Sequence, residues 1–428
     1  MVAHGRPEIP HQLHRLANGL RVVLHEDHHL PLVAVNLWYH VGSKNERPGR
    51  TGLAHLFEHM LFQGSAHVGT NDHFRLVQQV GGVANGSTWY VRTNYYETLP
   101  APALDLGLWL EADRMGFLLE ALTEEKLANQ RQVVINERRQ RVDNQPYGRA
   151  LERLHELLYP EGHPYRWPVI GYLDDIAAAT LDDVRQFFST HYVPANAVLT
   201  LAGDFDPAAA LERVARWFGD LPAAPRPAPV AAPADPPAAG ERRAELPDEV
   251  RLPRVYLGFR APAYGAPDWY AGSMLAAALA SGKSSVLYQD LVYRRQIAQE
   301  VGVYLYPTEL EATLIVVATA KPGVEAAEIE RALDDHLARA AAAPPDGADL
   351  ERARNQVLTN AYEQLESVEG KADLLSHYTT HFDDPGRLGS ELETYHSLAP
   401  EDLRSFAARH LAADRRAVVT VVPAGGGA

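Results

Sequence analysis

The sequence predicts an α+β protein of two homologous halves, each a sandwich-like antiparallel sheet with helices packed on it, joined by a Pro/Ala-rich linker. Three observations carry this. Apolar, β-branched runs bounded by turn residues alternate with longer segments of 3.6-residue apolar spacing, so strands and helices are mixed. Prolines crowd Leu221 to Pro247 too densely for a helix or a sheet interior, and this stretch lies near the middle of the 428 residues. The parts on either side of it repeat. Asp183-Val184-Arg185-Gln186-Phe187 before His191 matches Asp402-Leu403-Arg404-Ser405-Phe406 before His410, and each is followed by an apolar strand, at Val198–Leu201 and Val418–Val421. Gln132-Val133-Val134-Ile135-Asn136-Glu137 likewise matches Gln356-Val357-Leu358-Thr359-Asn360-Ala361. The expected domains are 1–220, a linker at 221–247, and 248–428.

Residues up to about Gln12 read as an irregular arm. Asn18-Gly19 is a turn, followed by a strand at Leu20–Leu24, a polar turn at His25–His29 and a strand at Leu32–Tyr39, together a hairpin. The three histidines of that turn read as a wet hairpin tip rather than a metal site, since no buried partner is in view. Gln63-Gly64-Ser65-Ala66 stops a first helix, and a second runs near Asn71–Val80. Residues 81–99 open on glycine and turn aromatic and β-branched, which reads as a strand pair or an edge strand. Helices then fill Ala101–Leu122 and Glu124–Asp143.

Composition excludes several classes. With 46% hydrophobic and 22% charged residues the chain is ordinary for a globular protein, and no apolar run approaches the ~20 residues that span a bilayer. A formal charge of −15 argues against a nucleic-acid partner. There is no cysteine, so disulfides and thiolate metal sites are excluded. The start, Met1 to Pro7, lacks the apolar core of a secretory signal, so the expected place is a bacterial cytoplasm, or the periplasm or exterior if a leader has been removed.

The stretch that carries chemistry is Gly52-Leu53-Ala54-His55-Leu56-Phe57-Glu58-His59-Met60-Leu61-Phe62. On a helix, positions i, i+3 and i+4 share a face, so His55, Glu58 and His59 project together. Two imidazoles one turn apart form a zinc clamp, and the adjacent carboxylate can take a proton from water; H-x-x-E-H is the inverzincin signature. Burying these three side chains unliganded in an apolar helix would be costly. The second half offers no copy: 271–282 holds neither histidine nor glutamate, and Ala361 stands where the first half has Glu137. A distant carboxylate on a second helix would complete a His₂Glu site with an open position. On local grounds alone the reading of Glu137 as a surface glutamate beside Arg138 and Arg139 is the favoured one.

Here the chain resembles the insulinase/pitrilysin family of zinc metallopeptidases, which pairs H-x-x-E-H with a later glutamate in a V-V-x-x-E run. Further matches are Asn18-Gly19-Leu20, Gly64-Ser65, Thr93-Asn94-Tyr95-Tyr96-Glu97 and Asp143-Asn144-Gln145-Pro146-Tyr147-Gly148. The resemblance implies that His55, His59 and Glu137 bind Zn²⁺ and that Glu58 is the catalytic base. It also implies a half-length branch, similar to mitochondrial processing peptidase and bacterial relatives, in which two chains close into a chamber. Many relatives carry a supporting glutamate where this chain has Gln130, which leaves that position neutral. The family's far half supplies an arginine and a tyrosine to the substrate carbonyl; at those positions stand Val292 and Gln299. A heterodimer with a homologous subunit that carries the arginine and tyrosine is the economical expectation, with an active homodimer as the alternative.

The expected activity is endopeptidase cleavage of extended peptides inside that chamber. Asn85, Gly86 and Ser87 are the expected substrate contacts, on an edge strand that pairs with the peptide main chain, with Gly86 allowing close approach. The rival from another class is a non-catalytic assembly subunit of the same fold, like the respiratory-complex core proteins, which tend to lose the zinc set.

Overall fold

The computed structural model describes residues 7–233 and 240–425. The first half runs through β1 (Gln12–Arg15), β2 (Arg21–Glu26), β3 (Leu32–Tyr39), α1 (Leu53–Met60), α2 (Asp72–Gln79), β4 (Val83–Thr88), β5 (Thr93–Pro100), α3 (Leu104–Phe117), α4 (Glu124–Arg138), α5 (Ala150–Leu158) and β6 (Ala197–Gly203). The second half supplies β7 (Arg242–Asp248), β8 (Arg254–Ala261), β9 (Ala298–Leu305), β10 (Ala312–Ala320) and β11 (Ala417–Pro423), with further helices between and after them.

The first sheet has the order β1-β2-β6-β3-β5-β4 and the second β7-β11-β8-β10-β9. Without β1 the two orders correspond strand for strand. The directions correspond as well: β2/β6 and β7/β11 are parallel and the remaining pairs antiparallel. The one parallel pair in each sheet departs from the antiparallel expectation, because β2 and β6 are joined not by a hairpin but by a long excursion through β3, β4, β5 and several helices. The expected β2–β3 hairpin is also corrected. β6 is apolar but for Thr200, with every residue buried, and it inserts between them as an interior strand.

The linker is shorter than expected. Arg242–Asp248 forms β7 with strict alternation of exposure, and its edge position tolerates Pro247. Residues 1–6 of the expected arm and 234–239 of the linker lie outside the described residues.

The compact units do not follow the expected boundaries. Among the described residues one unit comprises 7–138, 168–230 and 362–390, and the other 139–167, 231–233, 240–361 and 391–425. Each half thus lends a helix to the other's unit. In the first unit the helix Val368–Phe382 covers β3 and β6, with Ala34, Ala202 and Ala372 in contact, so small side chains bring helix and sheet close. Lys371 Nζ bonds Asp27 Oδ2 at 2.5 Å and Ser376 Oγ bonds Thr200 Oγ1 at 2.7 Å. In the second unit α5 packs on β7, β8 and β11; a side chain at Gly258 of β8 would collide with Leu154 and Leu158. No helix among the described residues is long and apolar enough to cross a membrane.

Candidate metal centre and substrate edge

Helix α1 buries Leu53, Ala54, Leu56, Phe57 and Met60 and leaves His55, Glu58 and His59 half-buried on its remaining face, as the 3.6 period requires. Its start is fixed from outside the helix. Glu46 accepts hydrogen bonds from Gly52 N at 2.9 Å and Ala54 N at 2.8 Å, so a carboxylate satisfies the orphan N–H groups and complements the helix dipole. Gly52 sits at φ +82, and a Cβ there would lie 2.7 Å from Ile170 O. Arg138 Nη1 donates to Gly171 O at 2.7 Å, and Gly171 lies against the backbone of Gly52. The C-terminal end of α4, carrying Glu137, is therefore locked to the N-terminal end of α1.

That lock brings the three expected ligands together. Glu137 Oε2 lies 3.2 Å from His59 Nε2 and 3.8 Å from His55 Nε2, and one donor atom from each residue lies within 4.8 Å of the other two. Ligand bonds of about 2.0 Å in tetrahedral array put donor atoms about 3.3 Å apart, so the set fits one zinc ion with an open position. Gln130 is buried, two turns before Glu137 on α4. Glu58 stands beside the ligand set. Its Oε2 accepts from Thr88 Oγ1 at 2.5 Å. Burial holds its carboxyl above the usual range, opposed by the Thr88 hydrogen bond and the charges of His59 and Arg92, while Glu137 adds to the rise.

A second group of potential ligands, His73, Glu97 and Glu111, is fully buried and already filled. Arg114 donates to Glu111 and, at 3.3 Å, to Glu97, while His73 bonds Glu97 at 2.9 Å. This is an internal ion network, with its guanidinium against the Tyr95 ring at 4.2 Å.

Strand β4 is the free edge of the first sheet beside α1. Trp89 N donates to Arg92 O at 2.9 Å and closes a two-residue turn, so alternation along the ladder turns the main-chain groups of Ala84, Gly86 and Thr88 to the free edge. Of the expected contacts, Gly86 presents its N–H there, where the Asn85 side chain accepts it at 2.9 Å. Ser87 does not fit the expectation: its main chain pairs with β5, and its hydroxyl is held by Asn94 at 2.7 Å and Arg92 at 2.6 Å. The glycine also has a different reason from the expected one. A Cβ at Gly86 would meet the rings of Phe62 and Tyr95 at 3.2 Å, on the protein's own side. Sequence reading missed the roles of Thr88, Arg92 and Glu46; only hairpin register could have pointed to Thr88.

Comparison with known proteins decides the family. The profile described as Insulinase (Peptidase family M16) matches residues 21–166, and the one described as Peptidase M16 inactive domain matches 178–357. A Helicobacter pylori protein named zinc protease PqqE is 31% identical over 387 residues, covering 90% of this chain and 86% of its own. The chain belongs to the insulinase family. Among solved structures, a protease from Helicobacter pylori superposes with a TM-score of 0.91 at 29% identity, over 97% of this chain and 100% of that one. An M16-like peptidase from Alicyclobacillus acidocaldarius gives 0.83 at 22% identity over 99% and 100%, which shows the insulinase-family fold alone. His55, Glu58, His59 and Glu137 all fall within the segment matched by the insulinase profile.

Proposed function

We propose that this chain is a zinc-dependent endopeptidase that cleaves extended peptides, acting as the catalytic subunit of a heterodimeric chamber. The observation that carries the reading is the meeting of His55, His59 and Glu137 beside a separate, half-buried carboxylate, Glu58. His55, His59 and Glu137 would hold the ion. Zinc bound there supplies Lewis acidity toward water and a peptide carbonyl. Glu58 takes the proton of the attacking water and delivers it to the leaving amine; its raised proton affinity suits a group that must do both. Thr88 fixes which carboxylate oxygen remains available. The free edge of β4 aligns the peptide through main-chain hydrogen bonds, which demands little of its side chains.

The partner follows from what the second unit lacks. Val292 packs against the second core and Gln299 is exposed on β9, so neither offers a cation or a phenol to a substrate carbonyl. A homologous subunit with an arginine and a tyrosine at these positions would supply them, and such donors are worth about 10²–10³ in rate.

The test is elemental analysis with peptide cleavage for the wild type and Glu58→Gln, each alone and mixed with a homologous partner. One zinc per chain in both, with cleavage reduced about 10²–10⁴-fold by the substitution, is the expected result. Zinc without cleavage under any mixture would sink the peptidase reading. Strong cleavage by the lone chain would replace the heterodimer with a homodimer.

A further inference from the structure

Side chains alternate along β4, so while Thr88 reaches Glu58, Ser87 points to the opposite face of the sheet. On that face lies a polar circuit that holds no metal ligand and that reaches Glu58 only through the charge of Arg92. Arg92 Nη1 donates to Ser87 O at 2.9 Å and to Ser87 Oγ at 2.6 Å. The Ser87 hydroxyl donates to Asn94 Oδ1 at 2.7 Å, and Asn94 Nδ2 donates to Asn36 Oδ1 at 3.3 Å. Asn36 Nδ2 donates to Asp373 Oδ1 at 3.3 Å, which also accepts from Trp38 Nε1 at 3.1 Å. The Trp38 ring lies under the Arg92 guanidinium at 5.2 Å and closes the loop. Donors and acceptors alternate consistently around it, so each bond supports its neighbours.

The circuit bears on the edge strand. Beyond its pairing with β5, β4 has no strand on its outer side among the described residues, and Val83 and Asn85 are exposed. Arg92 bridges its own side of the turn to Ser87, one residue from the hydroxyl that holds Glu58 and one from the edge-facing N–H of Gly86, which the Asn85 side chain accepts. The counter-charge comes from Asp373, on the helix that the far half of the chain lends to this unit. Arginine suits the task because one terminal nitrogen makes two bonds to one residue while the guanidinium plane lies over an indole.

We propose that Arg92 is a positioning residue, which with Asp373 holds the β4 edge in register for an extended peptide. The inference rests on the peptidase reading above. It makes the lent helix part of substrate recognition rather than only a cover for the sheet.

The experiment uses the zinc-loaded full chain, an unstructured peptide of about a dozen residues, and the variants Arg92→Gln, Arg92→Lys and Arg92→Gln with Asp373→Asn. Arg92→Gln should raise KM about 10–100-fold, with zinc per chain unchanged and kcat moving less than KM. Arg92→Lys should recover part of the loss, since it restores the charge and one donor. The double variant removes both charges together, so no lone half-buried charge remains to unfold it, and should show the same KM rise. Unchanged KM in the double variant would overturn the proposal, as would a fall in kcat with loss of zinc at unchanged KM. Binding of the same peptide to Glu58→Gln, with and without Arg92→Gln, separates the two readings. About tenfold weaker binding on losing Arg92 upholds the positioning role even if the wild type cleaves nothing, and then it is the peptidase reading that fails. Equal affinity overturns the positioning role and leaves hydrolysis untouched.

Discussion

Helix α1 follows β3 in the first unit, and the helix Pro267–Ala280 follows β8 in the second, each at the same place in one topology. The first leaves two histidines and a glutamate on a half-buried face; the second buries Trp269 through Gly272 and Met274 through Leu279 and holds no histidine or glutamate. The helices that come later differ in the same way, α4 bearing Glu137 and Gly347–Gln364 bearing Ala361. What this teaches is that the sheet and its connections are a frame that tolerates either filling, and that His55, Glu58, His59 and Glu137 have no counterparts in the second unit. The second half of the chain still bears on the first sheet, because it supplies the helix that covers it.

The largest effects should come from breaking the asymmetry at the metal. His59→Ala or Glu137→Gln should lose zinc and reduce cleavage by about 10³-fold or more. Ala361→Glu should leave zinc at one per chain and cleavage unchanged, since no histidines stand opposite it; elemental analysis with a peptide assay checks both.

The next effect belongs to the second unit. His155 of α5 is fully buried, its Nδ1 donating to Tyr165 O at 2.9 Å, and burial pushes its pKa down to about 4. The folded state therefore resists protonation while the unfolded chain accepts a proton near pH 6.5. Stability from this residue is complete above about pH 6.5 and is lost as pH falls toward about 4. Between pH 6.5 and 5 the wild type should lose about 2 kcal/mol more than His155→Gln, which keeps a donor but does not titrate. Urea unfolding at several pH values reads this, and parallel curves for the two proteins would refute it.

The smallest effects compare the two edge strands. Gly86→Ala in β4 presses a methyl onto Phe62 and Tyr95 and should cost about 1 kcal/mol, with KM raised a few fold. Gly302→Ala in β9 meets only the exposed Tyr304 side chain, which can swing away, so its stability should stay within about 0.5 kcal/mol of wild type. Thermal unfolding of the pair measures the contrast.

How far the sequence reveals this molecule follows from the range of the interactions. The histidine-bearing face of α1 is readable because helix periodicity is local, and β3 is readable from a largely apolar, β-branched run broken only by Asn36. Glu137 was ambiguous by itself and became legible only through resemblance, since nothing near it shows that α4 faces α1. The insertion of β6 between β2 and β3, and the exchange of 139–167 for 362–390, depend on partners far apart in the chain. No local pattern encodes those. Ser87 was misjudged for a subtler reason: it lies on the right strand, but the two-residue turn sets a register that faces its main chain inward.

The most direct measurement of the central claim is anomalous scattering from a crystal of the zinc-loaded chain, recorded on both sides of the zinc absorption edge. The account predicts one zinc peak in the first unit, bonded to His55 Nε2, His59 Nε2 and a Glu137 oxygen, and no zinc peak in the second. A peak elsewhere, or none at this position in a chain that nonetheless cleaves peptides, would contradict it.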